Sequence, residues 1–154
     1  MTNINATVTG PDAAASATDR ESFMEEVNPL GMEGVEIIEN ATSNPQSQGQ
    51  QQEAMGFRPI ARHRSREVLL YRQGALNVIV NAHGTGVSSR TPLSEKPVIA
   101  AVALRVRDAS AAYKRALDLG AWAVPAQVEV MELNIPAVHG VGTSRLYFVD
   151  RYRD

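Results

Sequence analysis

The sequence contains no cysteine, which removes disulfides, thiolate nucleophiles and cysteine-ligated zinc from consideration. It has no strong excess of charge of either sign. The 15 Lys and Arg against 17 Asp and Glu leave a formal charge of −2, too little to steer the chain to nucleic acid or an anionic membrane. Apolar runs fall well short of the roughly 20 residues needed to cross a bilayer, and the start lacks a basic stretch followed by an apolar one. A mitochondrial presequence would be poor in acids, whereas Asp12, Asp19, Glu21, Glu25 and Glu26 stand in the first segment. The chain therefore reads as unexported and cytoplasmic. What it does have is 44% apolar residues in a length of 154, enough for one core, either a single domain or two half-modules sharing it.

Residues 1–28 are rich in Thr, Ala, Asn, Ser and acids without apolar periodicity. They bury too little surface to offset ordering entropy, so a disordered tail is expected, followed by one domain over 29–154. From Gly31 the pattern changes, and two halves echo each other at a spacing of about 64 residues. In VIAAVALRV, Val98, Ala100, Val102, Leu104 and Val106 alternate with Ile99, Ala101, Ala103 and Arg105, which predicts a buried strand. Asp108 follows as a natural N-cap and Gly120 as a C-terminal stop. Between them Ala109, Ala112, Tyr113, Ala116 and Leu117 mark one helical face. The first half repeats the plan: GVEIIEN as a strand, Asn44 as cap, Pro45 as first helical residue, Gly56 as stop.

Shorter strands are expected after each helix, at about Arg58 to Arg64, Val68 to Arg72 and Leu76 to Asn81, then at Trp122 to Val124, Met131 to Val138 and Arg145 to Asp150. With residues 82–96 as a Gly, Ser, Thr and Pro-rich linker, the units span about 31–81 and 97–150. The fold class is α+β, built of two tandem βαβββ units. One place breaks the repeat. In NPQSQGQQQEAMG the positions matching the buried face of the second helix are Pro45, Gln48, Gly49, Gln52 and Glu53. Each lost aliphatic side chain forfeits about 1.5–3 kcal/mol and an interior Gly roughly 1 kcal/mol more. The expectation is a helix that frays, or pivots onto Ala54, Met55 and Phe57, or leaves bare sheet for a partner.

The chemistry-bearing residues are few. His63 alternates with Arg62 and Arg64 and is expected to be packed beneath the sheet or hydrogen-bonded. His139, between Pro136 and Gly140, is expected in a solvated turn. HGTGVSS lacks the third glycine and the following helix of a phosphate loop. RPIARHRSREVLLYR carries five arginines, of which Arg58, Arg62, Arg64 and Arg66 share strand parity with Ile60. Without interleaved aromatics this is a solvated or subunit-facing strand, not a base-stacking surface.

The strings NPLGMEGVEIIENAT, GFRPIARHRSREVLLYRQGALNVIVNAH, AAVALRVRDASAAYKRALDLGA and MELNIPAVHGVGTSRLYFVDRY, in that order, resemble the N-terminal domain of bacterial 4-hydroxyphenylpyruvate dioxygenases, of the vicinal-oxygen-chelate superfamily. The resemblance covers about Asn28 to Tyr152, departing at the glutamine-rich helix and at His139. It implies a two-domain protein whose C-terminal domain binds Fe(II) through two His and one Glu and carries 4-hydroxyphenylpyruvate to homogentisate in tyrosine catabolism. The partner implied is that catalytic domain, expected beyond Asp154, with subunit contacts in a possible homo-oligomer. The related hydroxymandelate synthases share the same resemblance. Superfamily metal ligands come from inward positions of the first and last strands of each unit. Here those positions offer Glu36, Glu39, His83 and Asp150, but also Arg105 and Arg107, which cannot coordinate a cation. The bland alternative makes Glu36, Glu39 and Asp150 strand-end or surface carboxylates, some paired with arginines. The expectation is no catalytic, cofactor-binding or metal residue in this chain. Its rivals are a stand-alone small-molecule module walled by Ile99, Ala101, Ala103 and Tyr147, and a metal-dependent lyase or isomerase completed by dimerisation.

Overall fold

A computed structural model of the chain describes residues 28–83, 93–125 and 135–151. Among them run β1 (Met32–Ala41), α1 (Pro45–Ala54), β2 (Arg58–Arg62), β3 (Val68–Gln73), β4 (Leu76–Asn81), β5 (Val98–Val106), α2 (Ala109–Asp118), β6 (Ala137–His139) and β7 (Arg145–Val149). The strands form one mixed sheet in the order β2-β3-β4-β1-β5-β7-β6. Each unit opens on a strand that pairs in parallel with its own last strand, β1 with β4 and β5 with β7. The two opening strands meet antiparallel from Met32↔Val106 to Ala41↔Val98. The seam between the repeats is therefore a backbone ladder, and the expected α+β duplication is the architecture found. In the second unit the segment expected as a strand at Trp122 to Val124 is a single bridge, Ala123 to Val138. Of the strand expected from Met131, residues 131–134 lie outside the described residues, as do most of the expected tail and linker.

The helices begin and end alike because the same local chemistry stands at both sites. The Asn44 side chain accepts from Ser47 N at 3.1 Å, and Asp108 accepts from Ala111 N at 2.8 Å. At the other ends, Phe57 N donates to Gln52 O and Ala121 N to Ala116 O, six-residue closures made possible by Gly56 and Gly120 at φ 90° and 93°.

The interiors beneath the helices differ. Under α2 the alternation in β5 delivers Val106, with Phe148 and Val138 from β7 and β6, against Ala109, Ala112 and Ala116. Tyr113 meets Phe148 edge-on at 6.5 Å, a favoured aromatic geometry. Under α1 the buried sheet residues are Tyr71, Val78 and Val80. The expectation that α1 would fray, or pivot onto Ala54, Met55 and Phe57, is corrected in part: the helix buries Pro45, Gln48, Gly49 and Gln52, Ala54 and Met55 are exposed, and Phe57 alone of the three packs against this cluster. The physical reason is Gly49. A Cβ at that position would collide with the Tyr71 hydroxyl, so its absence admits the phenol under the helix. Aromatic bulk from the sheet fills the room that aliphatic side chains of the helix fill in the other unit.

Candidate functional site

The helices cover one face of the sheet; the polar side chains of interest sit on the other. Strand alternation sends Val78 and Val80 of β4 toward α1 and so turns Asn77, Ile79 and Asn81 away from it. On β5 the same rule turns Ala101, Ala103 and Arg105 away from α2. Glu39 of β1 stands between Ile79 and Ala101 in register, and its side chain reaches Asn81 two residues further along β4. A register shift between Val35 and Ile37 brings Glu36 to this face as well.

These residues form two hydrogen-bonded groups. Arg105 Nε donates to Glu36 Oε2 at 2.8 Å, its Nη2 donates to the same oxygen, and Nη2 also reaches Ala75 O at 3.2 Å. Asn77 Nδ2 donates to Glu36 Oε1 at 3.0 Å, while Asn77 Oδ1 accepts from Arg72 Nε at 2.7 Å. In the second group Asn81 Nδ2 donates to Glu39 Oε1 at 2.9 Å, and Asn81 Oδ1 accepts from His83 N at 2.8 Å. Glu39, Asn77 and Asn81 are buried. The Glu36 carboxylate is paired with the Arg105 guanidinium, Arg72 is held only by the neutral Asn77 amide, and the polar atoms of the face bond one another.

The metal candidates are dispersed by this arrangement. Among the described residues no three His, Cys, Asp or Glu side chains converge. Glu36 is committed to Arg105 and Asn77. Asp150, placed among the possible ligands from its strand end, accepts from Ala109 N at 3.0 Å and so serves the N-terminus of α2. A guanidinium fills the space beside Glu36 where a cation would have to sit, and it donates five N–H bonds and no lone pair. The donor groups among the described residues do not fit an Fe(II) centre.

Two sequence expectations, for Glu39 and His139, need correction, and that for His63 resolves between its alternatives. Glu39, expected on the surface or at a strand end, is buried mid-sheet, because Asn81 satisfies it. His63, expected to be packed beneath the sheet or hydrogen-bonded, follows the second alternative. It lies exposed past the end of β2, its Nδ1 accepting from Ser65 N at 3.2 Å. His139 is not in a turn but ends β6, half-buried, its N–H donating to Trp122 O at 2.8 Å. Of the proposed pocket walls, Ala101 and Ala103 are buried, Tyr147 is half-buried, and Ile99 is 50% exposed. His83 ends the described part of its segment, half-buried; the rest of HGTGVSS lies outside the described residues. The sequence reading missed Asn77, Asn81 and Arg72. A signal existed in LNVIVN, where two asparagines of poor strand propensity occupy one parity of an otherwise apolar strand.

Comparison with known proteins places this arrangement. Residues 26–154 match the family described as "Hydroxyphenylpyruvate dioxygenase, HPPD, N-terminal". A 4-hydroxyphenylpyruvate dioxygenase of Pseudomonas sp. is 44% identical over 125 residues, 81% of this chain and 35% of that protein. Hemolysin VllY of Vibrio vulnificus is 40% identical over 133 residues, 84% of this chain and 37% of that protein. Among solved structures, a xylose isomerase-like TIM barrel/4-hydroxyphenylpyruvate dioxygenase fusion protein aligns with a TM-score of 0.65 at 32% identity, covering 78% of this chain and 20% of that one. The chain thus spans little more than a third of the length of these curated relatives. With that family matched over all of the described residues, and with a sheet built from two units that each open on a strand and a helix, the chain belongs to the hydroxyphenylpyruvate dioxygenase N-terminal domain family.

Proposed function

We propose that this domain is the non-catalytic N-terminal part of a cytoplasmic 4-hydroxyphenylpyruvate dioxygenase, the Fe(II)-dependent enzyme that forms homogentisate in tyrosine catabolism. Its partner is the iron-binding C-terminal domain, which it braces, and it contributes contacts between subunits. The observation that carries the reading is the Glu36–Arg105 pair with Asn77. Where superfamily metalloenzymes place ligands, this domain places a guanidinium–carboxylate clamp joining β1 to β5 across the seam. Such a clamp is a structural cross-link with no open coordination position.

Two measurements test it. Residues 1–154, purified and given Fe(II), ascorbate and 4-hydroxyphenylpyruvate, should consume no oxygen; turnover would overturn the proposal, as would a stoichiometric transition metal retained through purification. The rival reading of a stand-alone small-molecule module predicts a rise in melting temperature with aromatic 2-oxo acids. With Ala101 and Ala103 buried beside Glu39, the expected melting temperature is flat across such a panel.

A further inference from the structure

The β2–β3 hairpin concentrates positive charge that the described residues do not neutralise. Between positions 58 and 72 stand Arg58, Arg62, Arg64, Arg66 and Arg72 against one acid, Glu67. β2 is an edge strand, and all five of its residues are exposed. Arg58 lies directly opposite Arg72 in the hairpin register, a like-charge confrontation that weakens a strand pair. The ion pairs among the described residues are Arg105–Glu36, Arg107–Glu33 and Lys114–Asp118, none of them on this hairpin. Charge and Pro59 on an edge strand do keep it from pairing with other chains, but one or two charges suffice for that. A facing pair of arginines with three more beyond calls for a counter-charge.

The sequence holds one of matching size. Residues 1–27 carry Asp12, Asp19, Glu21, Glu25 and Glu26 against a single Arg20. Their point of attachment is fixed, because the Asn28 side chain accepts from Met32 N at 2.8 Å and donates to Met32 O at 2.7 Å. The sheet register puts Arg58 level with Arg72, Asn77 and Ile37, three strands across from β1. From Met32 that is five residues along and three strands over, about 20–25 Å at the usual strand spacings. An extended chain covers about 3.3 Å per residue. Glu21 and Asp19 can therefore come level with Arg58 and Arg72, and Asp12 can reach the Arg62–Arg66 turn.

We propose that the acidic N-terminal segment of this same chain, through Asp12, Asp19 and Glu21, is the electrostatic occupant of the Arg58–Arg72 hairpin edge. The tether sets a high effective concentration that an unlinked acidic partner lacks. The edge strand is thereby neutralised as well as guarded.

The absence of cysteine makes the test clean. Ser22→Cys introduces the only thiol of the full chain, and a nitroxide placed there broadens amides that come near it. At low ionic strength the amides of Arg58, Arg62, Arg64 and Arg66 should lose intensity. They should recover it at about 0.5 M salt, where the screening length falls to a few ångströms. Recovery is also expected in a labelled variant carrying D12N, D19N, E21Q, E25Q and E26Q. Unaltered hairpin amides at low salt, or broadening that survives the neutral substitutions, would overturn the proposal. So would broadening that passes mainly from a labelled chain to a separate isotope-enriched one, because the occupant would then be a second copy.

Discussion

Among the described glycines, Gly49 is the one at which an added Cβ would come nearest another atom, the Tyr71 hydroxyl. Alanine is the better helix former by roughly 1 kcal/mol, so Gly49→Ala would stabilise an isolated α1. In the folded chain its Cβ meets the Tyr71 hydroxyl, and overpacking of this kind costs about 1–3 kcal/mol. The expected result of urea denaturation is a net loss of about 1–2 kcal/mol. In a Tyr71→Phe background, where the colliding oxygen is gone, the same change should be neutral or stabilising. A loss of equal size in both backgrounds would show that the collision is not the cause. Tyr71 also gives the fold a signature at high pH. Burial, and secondarily the Glu53 carboxylate, pushes its phenol above the ordinary value of about 10. The unfolded chain then ionises before the folded one, so this contribution to stability is intact below about pH 10 and is lost as pH rises from there through the folded value. Wild type should lose stability more steeply above pH 10 than Tyr71→Phe, the remaining tyrosines being common to both.

At the scale of elements, legibility followed whether the packing signal lay in the element itself. In α2 the buried Ala109, Ala112 and Ala116 are its own, so the sequence declared the docked face outright. In α1 the docked face holds Gln48, Gly49 and Gln52, and the group that makes docking possible is Tyr71, on a strand over twenty positions away. No local periodicity could report that. The caps, by contrast, were legible in both helices because Asn44, Asp108, Gly56 and Gly120 act on their immediate neighbours. The polar face of the sheet was half-legible: Glu36 and Arg105 were both noted, but only the register of β1 on β5 brings them together. The cost of the polar docked face is visible at Gln52, whose Oε1 is buried without a hydrogen-bond partner among the described residues. An unsatisfied buried acceptor costs about 1–3 kcal/mol. Gln52→Met, near in volume and without that atom, should therefore stabilise by about 1 kcal/mol or more in thermal and urea melts. A destabilised variant would mean that the amide has a partner.

The sheet seam is where one element's chemistry becomes the whole molecule's. Glu36 and Arg105, with side chains 16% and 19% exposed, tie the first strand of one unit to the first strand of the other. Arg105→Met would strand a half-buried carboxylate, at a cost of about 1–3 kcal/mol once its partial exposure is allowed for. Pairing it with Glu36→Leu should recover much of that loss, the mark of an ion pair that aligns strands more than it adds stability. The two halves so joined are unequal. The unit under α2 rests on Val106, Val138 and Phe148, supported by Leu104, Leu117 and Leu146. The unit under α1 rests on Tyr71, Val78 and Val80, with two buried glutamines in its helix and an edge strand exposed on both faces. Local opening is cheapest where few apolar contacts must be broken. Native-state hydrogen exchange should therefore find a first opening unit comprising α1 and β2. Its amides at 48–55, 58 and 60–62 should exchange at clearly lower free energy than those of β5, α2 and β7, while β1 and β4 follow the seam. Equal protection in the two helices would mean that the seam ladder, and not the burial beneath each helix, sets the stability of both units.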